Sequence, residues 1–204
     1  MPGIPLKNQP MTDNQSEKAR LRRELRQARR RIDAPARASA SMEISEHCQH
    51  LPGWPDARRI ALYLAADAEV DPAPLAAAAR TAGKMPYSPV IQPDDSLCFA
   101  RWLEGEALAA NRYGIPEPGI DAERCEAAAL DIILLPLVGW DRSGTRLGMG
   151  GGFYDRSLAG VRGPLRVGLA YASQERPALP SEPWDARLDY VATEVALVAC
   201  PSSD

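Results

Sequence analysis

The chain offers no disulfide framework and no zinc site. Its four cysteines, Cys48, Cys98, Cys125 and Cys200, form no CxxC pair, and their spacings match no metal-ligand pattern. They read as free thiols in a reducing compartment. His47 and His50, the two histidines, form an HxxH pair with no further ligand nearby, so they read as surface residues. Neither a Ser/His/Asp nor a Cys/His pattern is present. No apolar run approaches the length of a membrane span, and the N-terminus lacks the apolar segment of a secretion signal. The expected location is the cytoplasm. A net charge of −3 gives no basic excess to attract nucleic acid or a membrane surface. No internal repeat is visible.

What is there suits one globular domain. A chain of 204 residues, 45% hydrophobic and 25% charged, can bury a real core. Residues 1–15, rich in proline and amides, read as a disordered tail in which Met11 is an alternative start; residues 16–204 read as the domain. From Ser16 to Ile32 the pattern is helical, with Leu21, Leu25, Ala28 and Ile32 on one face and many cations around it. Those cations form a solvated basic face or an anion clamp, since Lys18 and Arg22 are one helical turn apart; a nucleic-acid contact is a third option, weakened by the acidic remainder and the lack of interleaved aromatics. Asp33 caps a second helix ending near Gln49. Ile60–Leu64 reads as a buried strand, and Ala73–Ala82 as an alanine-rich helix stopped by Gly83. Lys84–Val90 reads as a strand near a sheet edge, because Pro86 and Pro89 interrupt it. Leu97–Leu103 is a third strand, and Asn111–Pro118 a loop too proline-rich for regular structure. Ile132–Val138 is apolar throughout, the mark of a central parallel strand. Arg166–Tyr171 and Tyr190–Ala199 complete the strands. Strands alternating with helices predict an α/β domain, a mostly parallel sheet flanked by helices in three layers. Ligands of such sheets bind beyond the carboxyl ends of the strands, where Glu69, the segment after Val138 and the loop after Tyr171 can meet.

That segment is the richest in the chain. After the turn Gly139–Gly144 come Arg146-Leu147-Gly148-Met149-Gly150-Gly151-Gly152-Phe153-Tyr154-Asp155-Arg156, with glycines at 148, 150, 151 and 152. Asp155–Ala159 reads as the first turn of a helix. Strand, glycine loop and helix N-terminus form a recipe for holding phosphate, with Arg146 adding charge and Asp155 able to hold a divalent metal. It is neither common phosphate loop: GxxxxGK followed by Ser or Thr is absent, and GxGxxG would need glycine where Phe153 stands. The plainer alternative is a tight turn packed on a sheet.

Leu135-Pro136, Trp140-Asp141 and Gly144 to Asp155 together resemble the signature of the 5-formyltetrahydrofolate cyclo-ligase family, also called 5,10-methenyltetrahydrofolate synthetases. The resemblance extends over most of the chain after residue 16. Lys18 to Arg22 is similar to the family's opening Lys-x-x-x-Arg. Tyr63-Leu64 with Glu69-Val70-Asp71, the loop Asn111–Pro118, and the block from Gln174 through Leu179-Pro180, Trp184-Asp185, Leu188-Asp189 to Thr193-Glu194 follow in the family's order. It implies ATP- and Mg2+-dependent closure of 5-formyltetrahydrofolate to 5,10-methenyltetrahydrofolate, releasing ADP and phosphate. The chemistry is coherent. A formamide oxygen leaves poorly, phosphorylation makes it a good leaving group, and N10 then attacks the activated carbon. No protein nucleophile is needed.

By the same resemblance, Lys18, Arg22 and Arg146 bind ATP phosphates with the amides of Gly148, Gly150, Gly151 and Gly152. Asp155 and Asp185 hold Mg2+, with Arg146 and Asp155 at the catalytic centre. Glu69 binds the folate, and Met149 to Phe153 line the reactive part of the site. The family often has tyrosine where Phe153 stands, so no hydroxyl is available there. Each residue has a plainer alternative: Asp155 as a helix cap, Asp185 as a loop carboxylate bonding its own backbone, Glu69 as surface, Phe153 as core. A monomer acting on small molecules is expected. The competing classes are a sugar-phosphate isomerase or acyl-CoA transferase, which would need a catalytic carboxylate, and a nucleotide- or folate-binding regulator.

Overall fold

A computed structural model describes residues 13–111 and 114–201. The expected tail up to residue 12, Met11 included, and Arg112-Tyr113 of the middle loop lie outside the described residues. The chain runs through α1 (Asp13–Arg30), α2 (Ala34–Cys48), β1 (Arg59–Ala61), α3 (Ala73–Thr81), β2 (Met85–Ile91) and β3 (Leu97–Arg101). Then come three short strands, β4 (Ala109–Ala110), β5 (Pro116–Glu117) and β6 (Arg124–Cys125), before β7 (Ile132–Pro136). The hairpin β8 (Gly139–Trp140) and β9 (Arg146–Leu147) leads into α4 (Phe153–Ser157), followed by β10 (Leu165–Leu169), β11 (Tyr190–Ala192) and β12 (Leu197–Ala199).

One eight-stranded sheet, in the order β12-β11-β10-β7-β1-β2-β3-β6, carries the fold. The run from β11 to β2 is parallel, and antiparallel strands finish both sides. This is the mostly parallel α/β sheet expected from the sequence. β7 lies between β10 and β1, and its unbroken apolar run follows from burial on both faces. Ile132 and Leu134 enter a core shared with Ile44 of α2 and Leu75 of α3. Ile133 and Leu135 enter the opposite core, with Trp140, Leu158 and Leu188. α1 packs by Leu21 and Leu25 on Val138 and Leu147, beside the hairpin.

Several local expectations are corrected. α1 starts at Asp13, earlier than the expected Ser16. β2 is interior rather than near an edge. Pro86 stands opposite Trp102, just beyond β3: its carbonyl takes Trp102 N–H, and Arg80 Nη2 donates to the Trp102 carbonyl at 3.2 Å, where a proline cannot. The nitrogen of Pro89 faces the end of β1, one step past the last bond of that pairing, Leu62 N–H on the Tyr87 carbonyl at 2.8 Å, so its missing donor falls where the pairing stops. The middle loop contains the small β4–β5 pairing. Tyr190–Ala199 is a hairpin, broken where Thr193 Oγ1 accepts from Val195 N–H and Ala196 N–H. Ala28 is exposed. The buried stripe of α1 is Lys18, Leu21, Leu25 and Arg29, with Arg22 half-buried between them. Among the described residues no helix is long and apolar enough to cross a membrane.

Candidate functional site

The site stands beyond the carboxyl end of β7, where the chain turns through the β8–β9 hairpin. Asp141 builds that hairpin. Its Oδ1 accepts from the Ser143 and Thr145 amides at 3.0 and 3.1 Å, and its Oδ2 from the Leu179 amide at 2.9 Å. The hairpin delivers Arg146 to the start of the glycine loop.

The glycines have separate reasons. Gly150 and Gly152 adopt φ of 103° and 68°, where side chains are strained. At Gly151, φ is not in that region; a Cβ there would stand 2.7 Å from the Phe153 ring. At Gly148 a Cβ would stand 2.6 Å from Arg146 Nη1. Helix α4 begins at Phe153, earlier than expected, and is only one turn long. A single turn carries little macrodipole, so the attraction for anions rests on cations and loop amides.

Those cations converge. Arg146 is buried and donates through Nη2 to Asp155 Oδ1 at 2.7 Å; its Nε is buried with no partner among the described residues. Arg22 Nε donates to the Gly148 carbonyl at 2.8 Å. Lys18 Nζ lies 2.6 Å from Asp185 Oδ2. Burial pushes the Arg22 guanidinium below its ordinary pKa, Asp185 and Asp155 oppose that shift, and Arg146 adds to it. Arg156 Nη2 also donates to the Gly151 carbonyl at 2.8 Å, so four cations and two carboxylates surround the loop, an excess of positive charge.

Asp155 is not a helix cap. Gly152 occupies the cap position, and Asp155 Oδ1 instead accepts from the Ala186 amide at 3.0 Å, joining the loop to the C-terminal segment. Asp185 does bond its own segment, accepting from the Glu182 amide at 2.8 Å, but it also takes Lys18. Two carboxylates among buried cations are a donor set that fits Mg2+, which is usually held by one or two carboxylates together with phosphate oxygens. The remaining expected residues are less central. Met149 is 47% exposed. Phe153 packs partly on the core, with Arg156 over its ring at 5.4 Å.

Glu69 is not surface. Its side chain is 9% exposed, in a turn closed by Glu69 N–H on the Ala66 carbonyl. Burial raises its pKa above the usual carboxylate value, against the Ala66 N–H and Arg29. Tyr154 connects the two halves: its ring faces Arg146 at 5.8 Å, and burial raises its hydroxyl pKa, with Arg146 opposing and Glu69 adding to the shift. The residue-level reading missed Tyr154, Arg29 and Asp67. Arg29 carried a usable signal, since Lys18, Arg22, Leu25 and Arg29 share one helical spacing. His47 Nδ1 is 2.7 Å from the Thr193 carbonyl, and the described residues contain no cluster of three or more metal-ligating His, Cys, Asp or Glu side chains. All four cysteines are free, and burial pushes Cys48 up to about 12.

A mostly parallel sheet with a cationic glycine loop and paired carboxylates beyond its carboxyl edge defines an α/β protein whose candidate site lies where such sheets bind their ligands. Residues 14–194 match the model of the 5-formyltetrahydrofolate cyclo-ligase family, and the chain belongs to that family as one of its enzymes. It is 35% identical over 180 residues to the 5-formyltetrahydrofolate cyclo-ligase of Haemophilus influenzae, covering 86% of this chain and 96% of the relative. The mouse 5-formyltetrahydrofolate cyclo-ligase is 28% identical over 192 residues, covering 88% and 94%. In three dimensions the chain is similar to 5,10-methenyltetrahydrofolate synthetase of Aquifex aeolicus, with a TM-score of 0.81, 29% identity, and coverage of 92% of this chain and 94% of that one.

Proposed function

We propose that this enzyme uses ATP and Mg2+ to close 5-formyltetrahydrofolate into 5,10-methenyltetrahydrofolate. The observation that carries the reading is the convergence at the glycine loop of Arg146 and Arg22, with Asp155 paired to Arg146 and bonded by the Ala186 amide, and with Lys18 paired to the adjacent Asp185. In this reading the formyl oxygen attacks the γ-phosphorus, and the bond to ADP breaks. The N10 lone pair then attacks the formyl carbon. Phosphate leaves with the C–O electron pair, and N10 loses its proton. Bound Mg2+ supplies charge neutralisation at the phosphate oxygens, held by Asp155 and Asp185. The chain's own work is positioning: the cations orient the phosphates, the loop amides approach them closely, and Glu69 holds the folate at the opposite side of Tyr154.

Both carboxylates already have cationic partners. Lys18 and Arg146 neutralise them in the free site; with ATP bound, those cations would serve the phosphates and leave the two carboxylates available to hold Mg2+. ATP and metal are therefore expected to bind as one unit, each weak alone.

Arg146→Ala is expected to raise the KM for ATP about tenfold or more, the equivalent of a lost charge-assisted hydrogen bond of about 1.5–3 kcal/mol. Steady-state kinetics with each substrate varied will check it. An unchanged ATP KM beside a large rise for folate would count against the assignment.

Glu69 predicts a pH effect. With its folded pKa raised, ionised Glu69 destabilises the fold above that value. Acidification through that pKa removes the destabilisation but also removes the carboxylate that binds folate. The folate KM should therefore begin to rise at a pH above the ordinary glutamate range, and Glu69→Gln should lack that acid limb. A wild-type KM flat across that range rejects the role.

A further inference from the structure

We propose that Arg29 is a positioning residue for Glu69: its guanidinium clamps the Ala66–Glu69 turn to the end of β7 and so sets where the Glu69 carboxylate stands. This rests on the proposed contact of Glu69 with folate.

Arg29 is 1% exposed, at the last turn of α1. Every nitrogen of its head has a partner. Nε donates to the Asp67 carbonyl at 3.0 Å, Nη2 to Asp67 Oδ2 at 3.0 Å, and Nη1 to the Leu137 carbonyl at 3.0 Å. Nη1 also lies 3.8 Å from Glu69 Oε1. One side chain thus ties together α1, the turn and the chain just past β7. Stability alone does not call for such a group, because well-packed apolar residues commonly replace buried ion pairs without loss. The burial of this cation asks for another reason.

The turn supplies it. Asp67 and Ala68 adopt φ of 51° and 60°, left-handed values that non-glycine residues hold only when their surroundings impose them. Arg26, Arg29 and Arg30 all pair with Asp67. Burial opposes ionisation of Asp67, but the hydrogen bonds from Arg26 and Arg30 outweigh it and hold the pKa below the usual value. The side chains of Arg26 and Arg30 are 36% and 57% exposed, so their pairs are screened and replaceable. Of the three, Arg29 is the one that forms an ion pair with Glu69, on which Arg26 acts more weakly, and that reaches the Leu137 carbonyl, which it shares with Gln174 Nε2 at 3.2 Å. The following residue, Val138, begins the path to the hairpin and the glycine loop. Glu69 is held from its other sides by the Ala66 amide on Oε2 at 3.1 Å and by Tyr171, whose hydroxyl donates to the Glu69 carbonyl at 3.4 Å.

The test uses the full-length enzyme with Arg29→Lys, Arg26→Gln, Arg30→Gln, Glu69→Gln and the double variant Arg29→Lys/Glu69→Gln. Lysine keeps the charge but cannot serve the carbonyls and carboxylate through a planar fork. Arg29→Lys is expected to raise the folate KM about tenfold or more, leaving the ATP KM within about twofold, since small displacements of a positioning group are costly. Arg26→Gln and Arg30→Gln should each stay within about twofold of wild type. The double variant should be no worse for folate than Glu69→Gln alone, because Arg29 acts through Glu69. Circular dichroism and thermal melts establish folding; if Arg29→Lys does not fold, Asp67→Asn takes its place, with the same expected split between substrates. A folate KM unchanged in Arg29→Lys while Glu69→Gln raises it overturns the proposal and spares the role of Glu69. Additive effects in the double variant, or folate and ATP KM rising together, also overturn it. A folate KM unchanged in Glu69→Gln rejects the role of Glu69 itself, and the proposal with it.

Discussion

Asp155→Asn is expected to lower kcat about a hundredfold or more and to raise the Mg2+ requirement, with the fold intact. The substitution is close to isosteric. An asparagine Oδ1 can still accept from Arg146 Nη2 and from the Ala186 amide, the two contacts that hold Asp155 in place at 2.7 and 3.0 Å. What disappears is the charge. Mg2+ is a hard cation that prefers anionic oxygen, and Asp185 would be left as the carboxylate ligand from the protein. Arg146 would also lose its anionic partner, which leaves its charge free for the phosphates; the loss falls on the metal, on the metal-dependent part of ATP binding and on turnover. A purely structural tie between the loop and the C-terminal segment predicts the reverse, a lower melting temperature with the Mg2+ curve unmoved. Magnesium titrations of the two proteins separate these readings: superimposable curves with equal maximal rates reject the metal role.

Gly150→Val is expected to abolish measurable turnover. Gly150 has φ of 103°, and a β-branched residue there is a severe outlier, with strain of about 1–3 kcal/mol even where space is open. Its Cβ would stand 3.5 Å from the Arg22 guanidinium, in the approach to the loop amides. The backbone would relieve the strain by turning those amides away from the phosphate. Gly160→Val is the control, since Gly160 has φ of 71° with nothing near its Cβ and lies outside the loop. It should lose a similar amount of stability and keep its activity. Equal activity in the two variants, both folded by circular dichroism, would show that the loop is not a phosphate cradle.

The central strand and the glycine loop were legible because their physical demands are local. An apolar run buried on both faces has to be unbroken, and a close approach of backbone to phosphate needs glycine. The order of the sheet was less legible. Two prolines in β2 suggested an edge, and only the register shows that one nitrogen falls one step past the last bond to β1 while Arg80 serves the carbonyl opposite the other. Which glycines need left-handed backbone was also hidden: Gly150 and Gly152 do, Gly151 does not. The pairing of Lys18 with Asp185 spans 167 residues, beyond the reach of periodicity; the family resemblance singled out both residues but in separate roles, and only the fold shows them paired. Arg29 stayed hidden for a different reason. A scan for apolar faces assigns every arginine to solvent, whereas this one satisfies its whole guanidinium inside the fold.

The most direct test is formation of the methenyl product, followed by its absorbance, from 5-formyltetrahydrofolate with ATP and Mg2+ present and then with each omitted in turn. The account predicts product only when all three are present, with ADP and phosphate released in amounts equal to the product. Product formed at the full rate without ATP, or ATP hydrolysis that ignores the folate, would contradict it.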